Sequence, residues 1–215
     1  VMSMGIGRPL TRHSYRPLAH QALLQAIAIE AQLRLSSFNP HTLASLARIY
    51  TKAAVNKRLP PHVDLLTNLL TAIGMASLPK LGDFSPHSFP ALAWSYARSG
   101  VAPPPTLLDA LALASRPHLP EFRSMHLVSF SYSYGRLLGN ASPHQPEPVP
   151  LSDSITDMLQ VMANEVSGRR AQLSEAEMQT VENAYRCLGI TSPFGEAGVV
   201  TARSASNDDD PAPLF

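Results

Sequence analysis

The chain has one cysteine, Cys187, and one tryptophan, Trp94, among its 215 residues. A single thiol rules out an intramolecular disulfide and every cysteine-rich zinc motif, and it fits a reducing compartment. Charge is also scarce: Asp, Glu, Lys and Arg make up 15% of the sequence, against roughly a quarter in an ordinary soluble domain. So few charges imply that something else covers much of the surface. The two signs nearly cancel, leaving a formal net charge of +1. No global basic field therefore advertises nucleic acid, and any phosphate contact must come from local placement of Arg and Lys. No apolar run reaches the roughly 18–20 residues that cross a bilayer; Leu65 to Leu70 is interrupted by Thr67 and Asn68. Membrane insertion is not expected.

Signatures of catalysis are missing as well. The eight histidines are scattered, and none forms a His-x-x-x-His pair, so no metal site is expected. Gly5-x-Gly7 lacks the strand–turn–helix setting of a phosphate loop, and no Gly-x-Ser-x-Gly elbow occurs. Cys187, near a helix end, reads as a small apolar residue. The expectation is a non-enzyme without a cofactor.

What the sequence does contain is a repeat. Three segments align without gaps, opening at Phe38, Phe84 and Phe122, and a weaker fourth opens at Leu173. Their starts lie 46, 38 and 51 residues apart, so connections vary while the motif holds. Counting from the opening aromatic, apolar residues fall at steps 5, 8, 9 and 12. These are Leu43, Leu46, Ala47 and Tyr50 in the first copy, and Phe89, Leu92, Ala93 and Tyr96 in the second. The third has Leu127, Phe130, Ser131 and Tyr134. This spacing is the buried stripe of an amphipathic helix. Pro40 and Pro86 fall where a first helical turn tolerates a missing N–H, and Gly100 and Gly189 suit helix ends.

Between copies runs a second apolar helix, over Val63 to Ala76, Thr106 to Ala114 and Ser152 to Gly168, the last capped by Ser152 or Asp153. Gln21 to Leu33 reads as the second helix of an earlier, incomplete hairpin. A two-helix unit cannot bury its apolar face alone, so neighbours must stack. The expected fold is therefore all-α, an α-solenoid of stacked hairpins with about three repeats and partial end repeats. Residues 1–37 would form a partial N-terminal repeat and cap, 38–190 the solenoid, and 191–215 an extended tail.

The motif Phe-x-Pro-x-x-Leu-x-x-Leu-Ala-x-x-Tyr-x-Lys/Arg, clearest from Phe84 to Arg98, resembles the helical repeats of octotricopeptide, heptatricopeptide and FAST-kinase-like organellar proteins. The third copy departs from it with Ser124 at the proline position, and the fourth with Leu173 and Glu175. The resemblance implies residence in a mitochondrion (or a plastid) and association with RNA. It further implies a structural subunit of a mitochondrial ribosome, in contact with rRNA and neighbouring proteins. A protein-binding scaffold in another organellar complex is the alternative.

A second stripe, at steps 4, 7, 11 and 14, carries small hydroxyl residues and ends in Lys52, Arg98 and Arg136. On an open surface it would let a phosphodiester approach closely and meet a cation. The helix dipole accounts for the same cations, because each closes a helix. Arg48 and Lys52 form a like-charged i, i+4 pair, which Lys57 and Arg58 extend. The candidate RNA-binding residues are thus Arg48, Lys52, Lys57, Arg58, Arg98 and Arg136. Tyr134 shares its step with Tyr50 and Tyr96, which favours the core, and Trp94 shares one with Arg48 and Tyr132.

Overall fold

The computed structural model describes residues 12–56, 63–139 and 151–195, with side chains from residue 21 onward except that of Val63. These residues form eight α-helices and no strand. They are α1 (Arg12–Arg34), α2 (Pro40–Val55), α3 (Val63–Ser77), α4 (Ser88–Ser99), α5 (Leu107–Ser115), α6 (Ser124–Leu138), α7 (Asp153–Gly168) and α8 (Glu175–Cys187). Local chemistry sets the boundaries. The Asn39 carboxamide accepts the Thr42 N–H at 2.8 Å, with Pro40 as the first residue of α2. The Ser152 hydroxyl caps α7, and Ser174 with Glu177 forms a capping box on α8. Gly100 ends α4 in the left-handed region at φ 71°, a conformation that costs other residues dearly. Pro86 does not open a helix: it sits in a turn closed by the Ser88 N–H on the Ser85 carbonyl, and α4 begins after it.

The helices are arranged in two layers. In one, α2 packs on α4, α4 on α6 and α6 on α8. In the other, α1 packs on α3 and α5 on α7, while α5 also meets the 3₁₀ turn following α3. One hydrogen bond recurs in every hairpin and joins the layers. Tyr50, Tyr96, Tyr134 and Tyr185 donate their hydroxyls to the carbonyls of Leu24, Leu70, Leu108 and Leu159, always across 26 residues. The invariant unit is therefore α1–α2, α3–α4, α5–α6 and α7–α8, each joined through a 3₁₀ turn (Leu35–Ser37, Leu78–Asp83, Arg116–Glu121 and Arg170–Gln172). Variable spacing in the sequence arises wholly between units.

Each tyrosine reaches a carbonyl that already serves the helix, so it must pass the side chain one turn on. That position holds Ala28, Gly74, Ala112 or Ala163. At Gly74 a Cβ would lie 2.3 Å from the Tyr96 hydroxyl and 2.9 Å from Pro104. Small residues also set the distance within the α2–α4–α6–α8 layer: a Cβ on Gly135 would lie 2.6 Å from the Ala184 Cα.

Cations latch one hairpin to the next. The Lys80 ammonium donates to the carbonyls of Ser36 and Phe38, both at 2.6 Å. At the corresponding position two units on, Arg169 donates to the carbonyls of Pro120 (2.8 Å) and Phe122, and pairs with Glu165 at 2.6 Å. The same turn carbonyls are gripped in both cases. His118 stands at this position in the unit between and stacks on Phe89 at 5.9 Å instead. The first residues after α8 pack back rather than extend: Phe194 is buried, with the Arg170 guanidinium 5.4 Å from its ring. Positions 196–215, most of the tail expected from sequence, lie outside the described residues, as do positions 140–150.

Candidate nucleic-acid interface

Net charge of +1 conceals a segregation between the layers. Helices α2, α4 and α6 carry Arg48, Lys52, Arg98 and Arg136 and no carboxylate. Helices α3, α5 and α7 carry Asp64, Asp109, Asp153, Asp157 and Glu165 and no Lys or Arg. The end helices break the pattern: α1 carries Arg12, Arg16 and Arg34 against Glu30, and α8 carries Glu175, Glu177 and Glu182 against Arg186. The helices of one layer thus carry basic and no acidic side chains over three hairpins.

Four of the six cations proposed from sequence lie in that layer. Arg48 is half-buried in the middle of α2, and Lys52 lies one turn beyond. Burial pushes the Lys52 ammonium below its ordinary range, and the Arg48 guanidinium adds to the effect. Arg98 is half-buried in the last turn of α4, and Arg136 is exposed in the last turn of α6. Arg136 also does structural work: its Nε donates to the Ala97 carbonyl at 2.8 Å, closing the C-terminal end of α4. Lys57 and Arg58 lie outside the described residues.

The hydroxyl stripe is not an open track. Ser88, Ser95, Ser129 and Ser133 are buried where neighbouring helices meet. Ser95 and Ser133 donate back to the carbonyls of Ala91 and Ser129 at 2.7 Å, and Thr51 donates across the interface to the Ser95 carbonyl. These side chains are small because helices approach closely there, so the reading of a phosphodiester resting on them is overturned.

In its place the structure has a groove that sequence reasoning missed. A cavity of about 190 Å³ runs across α2, α4 and α6, lined by His41, Arg48, His87, Trp94 and His126 with Ala and Ser at its floor. The ring centroids of His41 and His87 are 6.2 Å apart, as are those of His87 and His126. His41 and His87 share a repeat position, and both are exposed. Their alignment was visible in the sequence; His126, one residue out of step, was not. The His126 imidazole is pushed down from its ordinary value by burial, then by His87 and Arg123. Among the described residues no group of His, Cys, Asp or Glu is placed to hold a metal ion. Tyr134 belongs to the core, and Trp94 is mostly covered where it borders the groove. No family model, curated protein or solved structure matches the chain.

Proposed function

We propose that this chain is a non-catalytic, RNA-associated helical-repeat protein whose α2–α4–α6 face lies against phosphates. The observation that carries the reading is the charge segregation: Arg48, Lys52, Arg98 and Arg136 on three adjacent helices without one carboxylate. A polyphosphate backbone presents anions at a regular spacing to such a row of cations. We read the stack as a short solenoid. Its placement as a structural subunit of a mitochondrial ribosome, against rRNA, rests on the repeat resemblance.

A protein partner on the opposite layer is favoured by a separate observation. Ile29, Met75 and Leu113 occupy equivalent positions on α1, α3 and α5 and are 53%, 56% and 65% exposed. An aligned apolar row of this kind suits a protein neighbour. A subunit of a large assembly would use both faces, RNA on one and protein on the other.

The test is a salt titration of single-stranded RNA binding, followed by anisotropy. Each phosphate contact adds about 0.7 to the slope of log affinity against log salt. Charge reversal of Arg48, Lys52 and Arg98 together is expected to abolish binding while circular dichroism stays unchanged. A flat salt response, or binding that survives the reversal, sinks the RNA reading and leaves a protein scaffold.

A further inference from the structure

We propose that the N-terminal end of the stack, formed by α1 and α2, is a docking face for a helical hairpin of this same repeat carried by a partner chain. The inference stands apart from whatever lies on the α2–α4–α6 face.

The first argument is a break in exposure at equivalent positions. Leu23 and Ile27 of α1 are 57% and 45% exposed. Residues in step with Leu23 (Leu69, Leu107 and Met158) and with Ile27 (Ile73, Leu111 and Met162) are all fully buried. Ile49 of α2 departs from its counterparts in the same way, since Ser95, Ser133 and Ala184 are covered. The later hairpins have a described unit before them and the first has none. The row of Ile29, Met75 and Leu113 is different, because it stays exposed in all three hairpins and so points away from the stack. Large apolar side chains at the end of a stack are the mark of an interior interface rather than of a polar cap.

The second argument is a latch with nothing described to grip. Arg34 stands at the position of Lys80 and Arg169, which hold the turn carbonyls of the hairpin before them. Its guanidinium pairs with Glu30 at 2.6 Å, just as Arg169 pairs with Glu165 at 2.6 Å four residues earlier. The Arg169 pair is half-buried against the preceding turn, whereas the Arg34 pair is exposed. A preceding 3₁₀ turn would offer Arg34 two backbone carbonyls, and its helices would cover Leu23, Ile27 and Ile49.

The opposite end shows why a second copy of this chain is not the occupant. On α8 the positions that meet a following helix hold Gln179, Asn183 and Arg186, where α6 has buried Val128 and the close-packed Gly135. These three are exposed, and both Gln179 and Arg186 donate to the Asn183 carboxamide oxygen, at 3.0 and 3.1 Å. That end is a polar cap and ill suited to cover Leu23 and Ile49 of another copy. Two N-terminal ends placed face to face would leave both Arg34 side chains without turn carbonyls, because Ser36 and Phe38 are already held by Lys80.

The probe is a duplicate of residues 63–106, which span α3, its turn, α4 and the following connection, fused ahead of Val1 of the full chain. Docking is read as the rate of thiol labelling in Ile49→Cys on a Cys187→Ser background. Labelling is expected to be fast in the chain alone and about tenfold or more slower once the hairpin is added. Arg34→Ala should quicken labelling again in the fusion and leave the rate in the chain alone unchanged, a coupling that a merely structural role would not produce. Equal rates with and without the added hairpin overturn the docking face. Slow labelling in the chain alone that removal of residues 1–11 restores gives the face to this chain's own N-terminus and overturns the partner. Slow labelling that quickens on dilution, with a dimer in sedimentation, gives it to a second copy and overturns the partner as well.

Discussion

The two layers hold together by different means. In the α2–α4–α6–α8 layer, helices approach until backbone meets backbone, as at Gly135 and Ala184, and serines fill the seams. In the α1–α3–α5–α7 layer, Leu, Ile and Met fill the interior, carboxylates decorate the surface, and Ser152 bonds to Asp109 across α5 and α7. Close approach leaves the first layer little tolerance for added volume, and it leaves the cations of its outer face crowded. The second layer has slack, and its exposed apolar row can change without disturbing the interior. Tight packing and basic charge occupy the same helices.

The comparison is broken most severely at Gly135. Gly135→Leu would drive its side chain into the α8 backbone and cost about 3 kcal/mol or somewhat more, read as a shift in the urea midpoint. Next in size is Arg169→Met. It frees the Phe122 and Pro120 carbonyls and leaves Glu165 without its cation, a loss of about 2 kcal/mol; equal stability to wild type would deny the latch any role.

The tyrosine clasp between the layers should be worth less. Tyr96→Phe is expected to cost about 1 kcal/mol. Burial raises the Tyr50, Tyr96, Tyr134 and Tyr185 hydroxyls above their ordinary value of 10.0. The folded state therefore keeps these protons while the unfolded chain releases them. Stability should be intact below about pH 10 and fall as pH rises beyond it, and ellipticity followed from pH 8 to 12 would show whether it does. Smallest of all, Met75→Lys and Leu113→Lys should change stability by less than about 0.5 kcal/mol, since both side chains face solvent. A large loss would mean that the outer face of the second layer is less open than its exposure implies.

The ends of the stack show how far the repeat could be read in advance. Ile49 is 54% exposed, whereas Ser95 and Ser133 at the same step are buried. That step faces the preceding hairpin, and no described helix precedes α2 in its layer. Periodicity correctly assigned the helices and put Tyr50, Tyr96 and Tyr134 in the core, because burial of one face imposes the spacing directly. It placed the hydroxyl stripe on an open surface because angular position on one helix says nothing about the neighbouring helix. The 3₁₀ turns were not anticipated either, although Pro79 and Pro117 near their starts disfavour a continuing α-helix.

By itself the sequence determined that the described residues form helices, that the units repeat, and which apolar stripe of each repeat faces the core. Such properties follow from spacing within one helix, where turn geometry is constant. Tertiary structure alone decided which helices pair across the 26-residue clasp, which cations latch turns rather than face solvent, and that three histidines from separate hairpins meet in one groove. Those outcomes depend on distances between helices, and connections of variable length carry no record of them.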